Sequence, residues 1–238
     1  MKFYSAWYCP FAQRVWIALV HKGIAFDYVE VDPYEKSDWW AKLSRGTELV
    51  PVLVVKRRDG QGESTIVEST RILEFLEHYQ AEPVPIYAAD PLERAEQKYW
   101  MDHIGNHVTP NFYRFLKAGE PGDYRDKSRQ GLIDGLTRLT QAMHAGGPFF
   151  SGASVSAVDI TLIPIAYRID VVLRAYRDFE LPQTGETWRR YRDWYQAMLA
   201  QPELRTTAVE HEDYEQRLVE HYHSYTVDER RSRINRAS

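Results

Sequence analysis

"SAWYCPFAQRV", residues 5–15, contains Cys9, the only cysteine in 238 residues. A lone thiol is either a small buried apolar group or a reagent. Pro10 opens a periodic segment to Lys22, with Val15, Trp16, Leu19 and Val20 on one face and Gly23 as its stop. Proline is tolerated at the first helical position, so the helix begins at Pro10 and Cys9 is its N-cap. Backbone N–H groups there lack intrahelical partners, and the helix dipole is positive at that end. Both favour a thiolate. An ordinary thiol titrates near ~8.5 and is only about 3% ionised at pH 7; a shift of about two units, roughly 2.7 kcal/mol, makes it mostly thiolate. Trp7, Tyr8 and Phe11 suit the wall of a core as well as that of a cleft. Position 12 is Ala12, so this is not a C-x-x-C motif, and a mixed disulfide at Cys9 must be attacked by an external thiol.

Outward from this stretch, "KFYS" reads as a strand before the helix. "FDYVEV" (26–31) alternates as a strand does, and "SDWWAKLSR" (37–45) reads as a short helix. "VPVLVVK" (50–56) and "STIVE" (64–68) read as two strands flanking a loop, where Asp59-Gly60 marks a tight turn. "STRILEFLEHY" (69–79) carries Ile72, Leu73, Phe75, Leu76 and Tyr79 at helical spacing. The order is βαβαββα. "QAEPVPIYAADP" (80–91) is a proline-rich linker, and everything beyond it reads as helical. The spacing predicts helices over 91–118, broken near Pro110, then over 124–145, 157–176, 187–200 and 212–222. "SVSAVD" (154–159) has the form of a capping box, with Ser156 as cap and Asp159 in place of the usual Glu or Gln. The end, "DERRSRINRAS", reads as a flexible, solvated basic tail. The division is thus 1–80, a linker 81–90, and an all-helical domain 91–238.

Composition narrows the function classes. A 44% hydrophobic share supports a sizeable core, and a 27% charged share is that of an ordinary globular protein. The net charge of −4 gives no general attraction to nucleic acid. One cysteine excludes an intrachain disulfide framework and fits a reducing compartment. No run approaches about 18 apolar residues, and the first residues lack a signal-peptide core, so the expectation is cytoplasmic, with no membrane contact.

Two further motifs share the chemistry of Cys9. In "LVPVL" (49–53), a cis Val50–Pro51 bond, found at about 5–6% of such bonds, would turn the Val50 N–H and C=O outward toward an extended peptide. In "ESTRI" (68–72), Ser69 opens a helix whose N-terminus suits an anion, and Glu68 suits an ammonium. Plain capping by Ser69 with a solvated Glu68 accounts for the same residues. His103 and His107 have the spacing of a helical metal pair, but no Glu follows His103 and no third ligand is evident, so no metal is expected.

Together, "CPFAQRV", "VPVL" and "ESTRILEFLEHY", in this order and spacing, resemble the glutathione transferase family, most of all its cysteine-type omega and lambda classes. The resemblance extends over nearly the whole chain and includes bacterial or fungal omega-like enzymes, among them glutathione-removing lyases. It implies a thioredoxin-like N-terminal domain, glutathione as co-substrate, and a homodimer. It implies that Cys9 forms a mixed disulfide with glutathione. Phe11 would line the site, Val50 would pair with the cysteinyl backbone, and Pro51 would be the cis proline. Glu68 and Ser69 would hold the γ-glutamyl ammonium and carboxylate. Lys36 would meet the glycyl carboxylate, with Ser37 or Lys42 as substitutes. A small aromatic or disulfide-containing second substrate would lie between the halves, among Trp7, Tyr99, Trp100, His103, Tyr222 and Tyr225. The activity implied is thioltransferase, dehydroascorbate reductase or glutathione lyase. Two other classes share the fold: a conjugating transferase or etherase with Cys9 as bystander, and a non-catalytic carrier of aromatic ligands.

Overall fold

The structure, a computed structural model, describes residues 1–35, 37–57, 59–79, 84–209 and 213–227. The chain divides into two compact units, Met1–Ile86 and Tyr87–Ser238.

The first unit contains β1 (Lys2–Ser5), α1 (Pro10–His21), β2 (Asp27–Glu30), α2 (Asp38–Leu43), β3 (Val52–Lys56), β4 (Glu63–Val67) and α3 (Ser69–Glu77). This is the βαβαββα order expected. The sheet runs β2-β1-β3-β4, with β1 parallel to β2 and β3 antiparallel to both β1 and β4. Strand β3 is buried at every position but Lys56, which explains its unbroken apolar run. Arg57 N–H bonds the Gly62 carbonyl to close the β3–β4 loop, and Gly60 N–H bonds Arg57 in the turn that Asp59-Gly60 marks. Gly60 and Gly62 both take positive φ there, which glycine alone adopts without strain.

The buried face of α1 is rotated from the one expected. Ala12, Val15, Ala18 and Leu19 are fully buried, while Trp16 and Val20 are half-buried. Trp16 packs on the Tyr28 ring at 4.7 Å, and the small Ala12 and Ala18 lie inward instead. On α3, Ile72, Leu73 and Leu76 are fully buried, but Tyr79 is exposed because the helix ends at Glu77. Glu77 is held by Lys22, whose Nζ lies 2.7 Å from its Oε2. The same ammonium bonds the Val84 carbonyl, and Glu77 accepts the Ile86 N–H at 3.1 Å. This buried pair therefore fastens Val84 and Ile86 to α1 and α3.

The second unit is helical: α4 (Pro91–His103), α5 (Thr109–Lys117), α6 (Asp123–Gln141), α7 (Ala157–Arg177), α8 (Glu186–Leu199), α9 (Pro202–Leu204) and α10 (Tyr214–Thr226). The expected break near Pro110 is instead a continuous path through a π turn, Ile104–Val108. Proline lacks an N–H and its ring crowds the carbonyl four residues back; a widened turn relieves both. The stretch after α8 also holds structure that the sequence pattern did not reveal, α9 and a π turn over Arg205–Val209. Gly147 is required in the loop before α7, since a Cβ there would lie 2.2 Å from the Gly152 carbonyl carbon. The basic tail, 228–238, lies outside the described residues.

Helix α7 is buried along most of its length and is the axis of this unit. Its capping box forms as the sequence indicates. Asp159 accepts Ser156 N–H at 2.8 Å and Ser156 Oγ–H at 2.6 Å. It also accepts Phe150 N–H at 2.8 Å and the Trp194 indole N–H at 2.7 Å, joining the preceding loop and α8 to the cap. Burial pushes the Asp159 carboxyl above the usual carboxylate range, and these four donors oppose that shift.

Removing one partner of a buried ion pair leaves the other charge uncompensated. Lys22→Ala is expected to lower the unfolding free energy by about 3–5 kcal/mol, measured by urea denaturation. A loss within experimental error would mean that the Lys22–Glu77 pair does not hold Val84 and Ile86 in place.

Candidate active site

Three chain segments converge at one end of the four-stranded sheet. Tyr4 stands opposite Val52, and Val52 stands opposite Val67. The end of β1, the start of β3 and the end of β4 therefore share one row. Cys9, Val50-Pro51 and Glu68-Ser69 all follow or precede that row by a few residues.

Cys9 occupies the N-cap of α1 in extended conformation, with Pro10 beginning the helix. Its N–H bonds Ala6 at 2.8 Å, and its carbonyl accepts the Gln13 N–H at 3.0 Å. The thiol is half-buried, and its Sγ lies 3.9 Å from the Val50 carbonyl oxygen. The Val50–Pro51 bond is cis. The Val50 N–H donates to no group among the described residues.

The loop before Val50 is shaped by Arg45, Gly46 and Glu48, all at positive φ. Ser44 pins it: its hydroxyl donates to the Trp40 carbonyl at 2.7 Å and accepts the Glu48 N–H at 2.9 Å. At the start of α3, Ser69 is buried and Glu68 is exposed. Glu68 has φ 74° and ψ 119°, a region that costs a non-glycine residue of order 1–3 kcal/mol and is found at functional sites.

A cleft of about 160 Å³ lies at this end of the sheet, lined by Phe11, Thr47, Leu49, Val50, Pro51, Glu68 and Ser69. It gathers five residues named from sequence. Thr47 and Leu49 were not named from sequence, although they lie within three residues of Val50; nothing in their type signals a wall. Phe11 is stacked by the Arg14 guanidinium, 4.8 Å from its ring. Among the described wall residues, Glu68 is the one ionisable side chain. Lys36 lies outside the described residues. Neither Ser37 nor Lys42 lines the cleft; Ser37 caps α2 and Lys42 is exposed.

The aromatic residues named for a second substrate fall in separate surroundings. Trp7, in the first unit, is half-buried; its backbone N–H bonds Glu30 at 3.1 Å, and its ring meets Tyr8 edge-on at 5.7 Å. On α4, Trp100 is buried with its indole N–H on Glu96 at 2.9 Å. His103 is buried with a ring nitrogen 2.9 Å from the Gly135 carbonyl, and desolvation lowers its pKa. Tyr99 is exposed, and its hydroxyl accepts a bond from Arg138. On α10, Tyr222 is buried: its hydroxyl accepts Arg168 Nε–H at 3.1 Å and lies 3.3 Å from that of Tyr113. Tyr225 packs on the Tyr222 ring at 5.1 Å and on Tyr113 at 5.9 Å. His103 thus joins α4 to α6 and Tyr222 joins α10 to α7 and α5, while Trp100 bonds within α4. The His103 and His107 rings lie 4.8 Å apart, and among the described residues no group of three His, Cys, Asp or Glu side chains could hold a metal ion.

Family models described as the N-terminal and C-terminal domains of glutathione S-transferase match residues 8–79 and 122–197. The chain belongs to the glutathione S-transferase family. It is 30% identical over 175 residues to the probable glutathione S-transferase DHAR1, cytosolic, of Oryza sativa subsp. japonica, covering 74% of this chain and 73% of that protein. It is 28% identical over 183 residues to the probable chloroplastic DHAR2 of the same organism, covering 77% of this chain but 60% of that longer protein. Among solved structures, glutathione transferase Omega 3C from Trametes versicolor superposes with a TM-score of 0.75 at 31% identity, over 87% of each chain. These relatives agree with a cysteine-type, omega-like member and with the thioredoxin-like and helical folds. Among the described residues no helix is long and apolar enough to cross a membrane.

Glycine at position 68 would adopt the observed backbone angles without the steric cost. Glu68→Gly is expected to raise the unfolding free energy by about 1 kcal/mol, after the loss of glycine's chain entropy. Chemical denaturation measures this, and a destabilised variant would show that the backbone at Glu68 is not strained.

Proposed function

We propose that this transferase removes glutathione from mixed disulfides, or reduces small disulfide-type substrates, through a covalent intermediate at Cys9. One observation carries the reading: the Cys9 sulfur lies at a helix N-terminus, 3.9 Å from the Val50 carbonyl of a cleft that can hold an amino-acid head group. In the proposed site the Val50 N–H and C=O pair with the cysteinyl residue of glutathione. The N–H has no other partner among the described residues, which supports this role. Glu68 takes the γ-glutamyl ammonium. Ser69 and the first N–H groups of α3 take the adjacent carboxylate. Pro51 and Phe11 form apolar walls. Lys36 remains the proposed partner of the glycyl carboxylate.

The reaction balances in two exchanges. The Cys9 thiolate attacks the glutathionyl sulfur of a mixed disulfide; the Cys9–glutathione disulfide forms and the substrate leaves as a thiolate that takes up a proton. A second glutathione, as thiolate, attacks the glutathionyl sulfur held on Cys9. Oxidised glutathione leaves and the Cys9 thiolate is regenerated. In sum, one mixed disulfide and one glutathione thiol become the substrate thiol and oxidised glutathione; the attacking glutathione is the reductant, and the transferred glutathionyl sulfur stays at the disulfide level throughout. Ala12 stands where an internal resolving thiol would be, which supports the external route. The helix N-terminus stabilises both the attacking and the departing form of Cys9.

The proposal assigns glutathione binding to 1–80 and the second substrate to 91–238, and it retains a cytoplasmic homodimer. The cytosolic rice DHAR1 supports the compartment, whereas the rice DHAR2 is chloroplastic.

Incubation with oxidised glutathione is expected to add one glutathionyl group, at Cys9, detected by mass spectrometry. Cys9→Ala is expected to abolish turnover of a glutathione mixed disulfide and keep the fold. Unchanged turnover would overturn the proposal, and retained conjugation of a nitroaryl chloride would select a conjugating transferase instead. Glu68→Gln keeps the backbone and removes the charge; it is expected to weaken glutathione binding about 10-fold, the scale of one charge-assisted hydrogen bond, as read by calorimetry.

A further inference from the structure

We propose that a second cavity, contained within the helical unit and distinct from the Cys9 cleft, binds a small aromatic carboxylate. The cavity measures about 290 Å³ and lies against α7, α8 and the segment 179–183. Its aromatic wall follows from the α8 sequence. Trp188, Tyr191 and Tyr195 recur at i, i+3 and i+7 and so share one helix face. All three are at least nine-tenths buried. The Tyr191 and Tyr195 rings are stacked at 6.2 Å with 12° between their planes, and Trp188 meets Tyr191 edge-on at 5.9 Å.

The polar groups are unevenly matched. The Tyr195 hydroxyl donates to Asp170 Oδ2 at 3.1 Å, and Arg174 approaches Asp170 Oδ1 at 3.6 Å, so this acid is engaged on both oxygens. Three donors have no hydrogen-bond partner among the described residues: the Trp188 indole N–H, the Tyr191 hydroxyl and the Arg192 guanidinium. Nη1 of Arg192 is also shielded from solvent. A shielded guanidinium nitrogen without an acceptor is costly, and native proteins pair such groups. Glu180, the remaining acid at the cavity, is exposed.

The Tyr191 hydroxyl is protonated at neutral pH, as tyrosine ordinarily is, and burial raises its pKa further. A cation with neutral donors favours an anion, and a carboxylate suits the planar guanidinium fork. Flat aromatic walls favour a ring. The volume is just under the ~300 Å³ lower end for drug-sized ligands, which limits the occupant to about one ring. None of these residues belongs to the Cys9 cleft, so the inference stands whatever Cys9 does.

The test is calorimetric titration of the full chain with benzoate, acetate and benzyl alcohol. Benzoate is expected to bind one per chain, with acetate and benzyl alcohol each at least about 10-fold weaker, since one lacks the ring and the other the charge. Arg192→Gln and the isosteric Tyr191→Phe are each expected to weaken benzoate about 10-fold. Tyr191→Phe carries the test if Arg192→Gln fails to fold. Cys9→Ala and saturating glutathione are expected to leave benzoate binding unchanged. Four results would each overturn the proposal: no benzoate binding at millimolar concentration; equal binding of benzyl alcohol or acetate; parental affinity in a folded variant; or displacement by glutathione, which would put benzoate in the Cys9 cleft.

Discussion

The alignment of Tyr4, Val52 and Val67 across one row of the sheet is the constraint on which the candidate site depends. Side chains in a strand alternate with period two, so a slip of one residue would turn every inward residue of β3 outward. Val52, Leu53, Val54 and Val55 are buried on both faces, so alternation alone does not fix β3; its pairing with β1 on one side and β4 on the other sets the register. With the register set, the ends of β1 and β4 and the start of β3 must open at one edge. Cys9, Val50 and Glu68, separated by about 20 to 60 positions along the chain, become neighbours for that reason.

The edge also brings two helix N-termini to one place. Helix α1 begins beside Cys9 and α3 begins at Ser69. Each offers N–H groups and the positive end of a dipole, so the site is electropositive at two points, and among the described residues its wall holds no lysine or arginine. Glu68 supplies the opposite charge beside one of them. In the proposed function, the same backbone arrangement would serve both a zwitterionic head group and a neighbouring thiolate.

The helical unit is organised by a different device. Asp159 collects four donors from its own cap, the preceding loop and α8, all inside an apolar core. A buried carboxylate with every donor aimed at it is tolerable, whereas one with a missing donor is not. That requirement orients Trp194 inward. It leaves Trp188, Tyr191 and Tyr195 on the helix face that borders the second cavity. Aromatic residues that look equivalent along the chain thus separate into packing groups, such as Trp100 and Tyr222, and cavity-lining ones.

By itself the sequence determined the order of elements, the start of α1 at Pro10 and the cap at Ser156 and Asp159, because local patterns and end signals act over a few residues; five of the seven described wall residues of the cleft were named through the family resemblance. It mispositioned the buried face of α1, where alanines rather than Trp16 face the core, and placed a break at Pro110 that a π turn absorbs. The Lys22–Glu77 pair, the walls Thr47 and Leu49, the burial of Tyr222 and the unpartnered Arg192 were decided only by tertiary structure. Each joins residues distant along the chain, and no local periodicity encodes which charge will find a partner once water is excluded.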